Sequence, residues 1–148
     1  MNVITSLDER RRKRTALFER KMLREISLKE LQKRTNEYFS TFFSSQNVYG
    51  TAIESSAVDM AVEAYLLGAE MSRFGYYGEE RNEVRNRSSL HEKKLADTLF
   101  DYISYWHVAT ENNLVEESIY IACEHFVYTW WVEGFENGVR RYRLRLHH

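Results

Sequence analysis

Apolar residues recur along this chain at three- and four-residue intervals, the period of a helix rather than a strand. Leu17, Phe18, Met22, Leu23 and Ile26 predict a first helix. Ser27-Leu28-Lys29-Glu30 has the form of a capping box, with Ser27 accepting from a backbone N–H and Glu30 reaching back. It opens a second helix whose buried side is Leu28, Leu31, Tyr38, Phe39, Phe42 and Phe43. Residues 44–50 are polar and end in Gly50, as a connection does. Thr51-Ala52-Ile53-Glu54 predicts another cap and a third helix. Ala57, Val58, Ala61, Val62, Ala64, Tyr65, Leu67, Gly68, Ala69 and Met71 make that helix apolar round most of its circumference, so it belongs at the centre. Gly75 and Gly78, around Tyr76 and Tyr77, end it, and the charged run 79–87 reads as a surface loop.

Ser89-Leu90-His91-Glu92 predicts the cap of a fourth helix. Leu95, Leu99, Tyr102 and Trp106 stripe it, with Phe100 and Ile103 beside them, and residues 110–113 break it. A fifth helix follows from Leu114 to Asn137. Ile119, Ala122, Phe126, Trp130 and Gly134 share one of its faces, flanked by Tyr120, Cys123, Val127, Trp131 and Phe135, so this helix is central too. The chain contains no proline, which suits long uninterrupted helices. Its 148 residues are enough for one well-buried domain. The expected fold is an all-α, single-domain bundle of about five helices around two apolar inner ones. The bundle covers residues 17–139, between a basic arm (1–16) and a basic tail (140–148) that continues the last helix.

The two inner helices share a pattern. Tyr65-Leu66-Leu67-Gly68-Ala69-Glu70 and Trp131-Val132-Glu133-Gly134-Phe135-Glu136 both read aromatic-x-x-Gly-x-Glu, and Gly75 and Gly138 follow further along. A glycine inside a helix costs about 1 kcal/mol relative to alanine. Its repetition marks a place where two backbones come close, so Tyr65, Gly68, Gly75, Trp131, Gly134 and Gly138 are expected to form a helix-packing seam.

The net charge of −1 conceals segregation. Residues 1–36 carry eleven Lys/Arg against five Asp/Glu, residues 37–139 six against seventeen, and residues 140–148 four against none. Arg10, Arg11, Arg12, Lys13 and Arg14 at one end, and Arg140, Arg141, Arg143 and Arg145 at the other, are therefore candidate interaction residues. They favour a protein partner or a second copy of the chain. A nucleic acid is the alternative, disfavoured because the acidic body repels a phosphate backbone.

Asp59, Glu63 and Glu70 share one face of the third helix and form a candidate polar cluster. A metal site or hydrolase built on them is a further alternative. The chain lacks Glu-x-x-His, His-x-x-x-His and Cys-x-x-Cys, so no ligand set accompanies them, and a polar stripe is the better reading. His91, His107 and His125 are scattered, and no nucleophile–His–carboxylate spacing or phosphate-binding glycine loop is present. Cys123 lies in an apolar run and is expected to be buried and inert. No catalytic, cofactor or metal residue is assigned. The lack of an apolar leader, and of about 18–20 consecutive apolar residues, leads to the expectation of a cytoplasmic protein without a membrane span.

Ala61-Val62-Glu63-Ala64-Tyr65-Leu66-Leu67-Gly68, Phe74-Gly75-Tyr76-Tyr77-Gly78-Glu79 and Trp130-Trp131-Val132-Glu133-Gly134-Phe135 together resemble a family of small uncharacterised proteins from Bacillus-type bacteria. The resemblance covers most of the chain after the arm and implies a bacterial cytosolic protein. It brings no activity, cofactor or catalytic residue with it.

Overall fold

The computed structural model describes residues 26–42, 48–106 and 113–146, with residues 7, 9–14, 16, 17, 20 and 24 of the arm. The expectations for Phe18, Met22, Leu23, Phe43, His107, the Trp106 side chain, the 44–47 connection and the 110–112 break lie outside the described residues. Five helices follow in order: α1 (Leu28–Phe39), α2 (Val48–Tyr76), α3 (Arg81–Arg87), α4 (Ser89–Trp106) and α5 (Asn113–Leu146). A 3₁₀ turn, Ser40–Phe42, extends α1. Residues 9–14 are also helical, and exposed. Among the described residues there is no strand, and the chain forms an all-α bundle.

The seam between α2 and α5 brings two backbones into direct contact. A Cβ built on Gly68 falls onto the carbonyl oxygen of Trp131, 2.8 Å from its carbonyl carbon and 3.0 Å from the Phe135 amide nitrogen. A Cβ on Gly134 falls onto the carbonyl oxygen of Tyr65, 2.8 Å from its carbon and 3.1 Å from the Ala69 nitrogen. Each glycine thus meets the residue three before, and the residue one after, the other glycine. Further along, Gly138 lies against Ser72 and Gly75 against Phe135 and Val139, so numbers rise together and the two helices run parallel. This reciprocity is that of a local twofold axis between them. Only hydrogen in place of a methyl lets backbones meet this way.

The twofold extends to the outer helices. Leu31, Thr35 and Phe39 are the buried i, i+4, i+8 stripe of α1, and Leu95, Leu99 and Ile103 are that of α4. The step from Leu31 to Leu95 is 64 residues, and that from Gly68 to Gly134 is 66. The second half therefore repeats the first with a connection two residues longer. Arg34 and Tyr38 reach Glu133 and His125 in reverse order, so α1 is antiparallel to α5. Asp97 bonds Tyr120 while Arg85, before α4, lies over Tyr128, so α4 is antiparallel to α5 as well. Two antiparallel hairpins, α1–α2 and α4–α5, pack through their long second helices.

Local chemistry sets the helix ends. Ser27 accepts from the Glu30 amide at 3.5 Å, as an N-cap does, but the Glu30 carboxylate turns to Arg34 instead of closing a capping box. α2 ends in a Schellman turn. Gly78, at φ +109°, donates to Gly75, and Glu79 donates to the Phe74 carbonyl. Gly75 itself lies inside the helix, and Gly78 is the terminator.

Several expectations change. α2 begins at Val48, so Gly50 and Thr51 are within the helix and no cap forms at Thr51. Residues 81–87 are helical, not a loop. Seven residues cannot sustain a helix alone; α3 is held by fully buried Val84 and by ion pairs Arg81–Glu136, Arg85–Glu92 and Arg87–Glu79. Ser89 does not cap α4: its hydroxyl donates to the Asn86 carbonyl at 3.1 Å, and Glu92 is taken by Arg85. Leu28 and Tyr102 are exposed, whereas Thr35 is buried with its hydroxyl on the Leu31 carbonyl at 2.7 Å.

The core lies along α2 and α5. Ala57, Ala61, Ala64, Tyr65, Ile119, Phe126, Trp130 and Trp131 are all but inaccessible. Trp131 stacks on Phe135 with ring centres 5.1 Å apart, and its Nε1 donates to Ser88 Oγ at 3.1 Å. Tyr65, its counterpart, accepts from Asn137 Nδ2 at 3.0 Å. Burying both aromatics thus leaves neither polar tip without a partner.

Candidate functional site

Polar groups concentrate on the outward ridge of α5, between α1 on one side and α3–α4 on the other. From α1, Tyr38 Oη lies 2.7 Å from His125 Nδ1 and 3.3 Å from Thr129 Oγ1. One turn earlier, Arg34 bridges Glu133 at 2.5 Å and Glu30 at 3.1 Å, its guanidinium 4.4 Å from the Trp130 ring centre. Burial alone lowers the Arg34 pKa, but hydrogen bonds and charge from Glu133 and then Glu30 outweigh it, so the pKa rises.

From α3 and α4, Arg85 grips the buried Glu92 carboxylate through two nitrogens, Nε at 3.1 Å and Nη2 at 2.9 Å, and lies 4.0 Å over the Tyr128 ring. That grip raises the guanidinium's pKa first, so Arg85 stays charged. A cleft of about 230 Å³ opens beside it, lined by Asn86, Ser89, Glu92, Lys93, Ala96 and Glu124. The cleft is below the size range of most ligand pockets. Its lining balances Arg85 and Lys93 against Glu92 and Glu124. His125 and Tyr128, with ring centres 6.2 Å apart, join the two halves of the ridge. The arrangement offers hydrogen-bonding and aromatic contacts, with arginines committed to carboxylates.

The structure does not bring the sequence-derived candidates together. Asp59, Glu63 and Glu70 are exposed on the outward stripe of α2. Among the described residues, no three His, Cys, Asp or Glu side chains converge as metal ligands would. Arg10, Arg11, Arg12, Lys13 and Arg14 are exposed on the arm's helical turn. Arg140, Arg143 and Arg145 are exposed on the last turns of α5, where Arg141 is half-buried. Beside them Tyr142 stacks on Tyr76 at 5.7 Å, and Tyr77, 80% exposed, meets Tyr76 edge-on. Cys123 is fully buried, and burial followed by the Glu124 charge pushes its thiol up to about 12, so no nucleophile is available there. No described helix is long and apolar enough to cross a membrane.

Tyr38, His125 and Thr129 were not legible as a set. Their positions are 87 and 91 residues apart, and only the packing of α1 across α5 unites them. Arg85 and Glu92 are seven residues apart, but the expected loop at 79–87 hid their relation across the α3–α4 break.

A two-hairpin helical bundle with a glycine seam and a charge-paired ridge is the class the geometry defines. The chain belongs to the DUF2521 family, described as a protein of unknown function, which matches residues 1–147. It is 30% identical over 144 residues to the uncharacterized protein YbaK of Bacillus subtilis (strain 168), covering 97% of each chain. No solved structure matches it.

Proposed function

We propose that this protein acts by binding another protein, as an interaction or regulatory module in the bacterial cytoplasm, and not by catalysis. The observation that carries this reading is the α5 end. There, exposed Arg140, Arg143 and Arg145 lie on either side of Tyr142, which stacks on Tyr76. Arginine and tyrosine dominate binding hot spots because they combine large contact area with directional polar groups. The experiment is light scattering together with affinity capture from a bacterial lysate, comparing wild type with R140E/R143E. Loss of a captured partner, or of self-association, in the variant supports the reading; a strict monomer that captures nothing defeats it.

A nucleic acid is the second reading, favoured by the exposed Tyr77 ring at the end of α2, because bases stack on such rings. Binding of a fluorescent single-stranded oligonucleotide at two salt concentrations tests it, since phosphate contacts weaken steeply with salt. The carboxylate-based metal or hydrolase reading rests on Asp59, Glu63 and Glu70 alone. Elemental analysis of wild type and Asp59→Ala checks it.

A further inference from the structure

Most arginines on the bundle's flanks are matched. Arg34 pairs with Glu30 and Glu133, Arg81 with Glu136, Arg85 with Glu92, and Arg87 with Glu79. Outside these pairs stand the exposed basic arm, residues 10–14, and two runs of like charge on the long helices. Asp59, Glu63 and Glu70 are exposed along α2, and among the described residues no ion pair reaches them. Arg140, Arg143 and Arg145 are exposed along the end of α5, and no ion pair reaches them among the described residues either.

The two runs cannot meet within one chain. The local twofold turns the outward stripes of α2 and α5 to opposite sides of the bundle. Arg140, at the near end of its run, is the counterpart of Phe74, four residues beyond Glu70, or about 6 Å along the axis, so it is the opposite orientation of the stripes that keeps them apart. Both helices are long and packed, so neither run can swing across.

We infer that the arginine end of α5 docks on the Asp59–Glu63–Glu70 stripe of a second copy of this chain. This rests on the protein-binding reading and names the partner. The charge is complementary and is left over in both runs. Leu144, exposed between Arg143 and Arg145, adds apolar contact to a charged interface. Because the two surfaces lie on opposite sides of one molecule, the contact is head-to-tail. It leaves a free arginine end and a free acidic stripe on every pair, so growth continues past a dimer unless the rotation closes a ring.

Sedimentation of the full chain at about 50 and 300 mM salt is the test, since the Debye length shortens between them. Wild type should gain mass with concentration past a dimer at low salt and lose it at high salt. D59K/E63K and R140E/R143E should each weaken association by about tenfold or more. The chain carrying all four substitutions should recover it, with helical content by circular dichroism unchanged in every variant. A wild type monomeric throughout overturns the proposal, as does association indifferent to R140E/R143E or a folded fourfold variant that fails to recover. If wild type stays monomeric yet captures a different protein through Arg140 and Arg143, the second copy is refuted and the protein-binding reading stands. Oligonucleotide binding by a monomer, lost in R140E/R143E, refutes both.

Discussion

Ala57, Ala61, Ala64 and Ala69 on α2 stand where α5 carries Cys123, Val127, Trp130 and Phe135, the residues 66 positions later. All eight are buried. The twofold backbone arrangement is thus filled asymmetrically. α2 contributes slimness, and α5 contributes bulk. Two identical Trp-lined helices would overfill the centre, and two alanine-lined helices would leave voids. Core density near that of organic crystals tolerates neither. At the seam, by contrast, both halves carry glycine. Side-chain size is free to differ between the halves, but backbone approach is not.

The seam gives the largest expected effects. Gly68→Leu and Gly134→Leu should leave no stable fold, because the side chain has only a facing backbone to displace. Gly68→Ala and Gly134→Ala should each destabilise by about 1–3 kcal/mol, after the better helix propensity of alanine is offset. The twofold requires the two costs to be similar in urea denaturation. Gly138→Ala should destabilise as well, since its added methyl meets Ser72, whose Oγ can rotate away but whose Cβ, 2.5 Å off, moves only with the backbone. A stabilised Gly68→Ala would break the seam.

The neighbouring tryptophans separate packing from hydrogen bonding. Trp131 Nε1 donates to Ser88, whereas Trp130 Nε1 is buried with no partner among the described residues. Replacing each by phenylalanine removes similar volume. Trp131→Phe should therefore cost more than Trp130→Phe by about 1 kcal/mol, the worth of one bond. Equal losses would mean that burial alone holds Trp131 in place.

This much of the molecule was legible because helix period is local. The apolar circumferences of α2 and α5, and the paired glycines, stand in the sequence as spacing. Thr35 and Val84 were not legible as core, since a threonine and a single valine among charges give no periodic signal. α3 read as a loop because its stability comes from three ion pairs and one buried side chain, all tertiary. For the same reason the α5 ridge was invisible, since Tyr38 and Arg85 reach it from elements on either side.

Cys123 and Ala57 are equivalent positions that differ by a titratable atom, and alkaline pH exposes the difference. The folded thiol's pKa, about 12, lies above the ordinary 9. Below pH 9 both states hold the proton and nothing changes. Above it the unfolded thiol ionises while the folded one cannot. Stability then falls by up to about 1.4 kcal/mol per pH unit until the folded pKa is reached. Cys123→Ala should remove that share of the slope between pH 9 and 11 in urea titrations, and the wild-type thiol should resist thiol reagents until the chain unfolds. Rapid labelling of folded protein would contradict its burial.

The smallest effect distinguishes the two outward stripes. Glu136 and Glu70 are the equivalent glutamates of the shared pattern, both exposed. Glu136 meets Arg81 of α3 at 2.9 Å, and no ion pair reaches Glu70 among the described residues. α3 supplies Arg81 to Glu136, and no described residue supplies such a cation to Glu70. Glu136→Gln should therefore cost about 0.2–1 kcal/mol at low salt and less at high salt, as exposed pairs do. Glu70→Gln should cost nothing, and could even stabilise by relieving repulsion within an acidic face. Thermal melts at two salt concentrations check both. If the two substitutions behave alike, Arg81 does not steady α3, and the ridge and the acidic stripe differ only in sequence, not in energy.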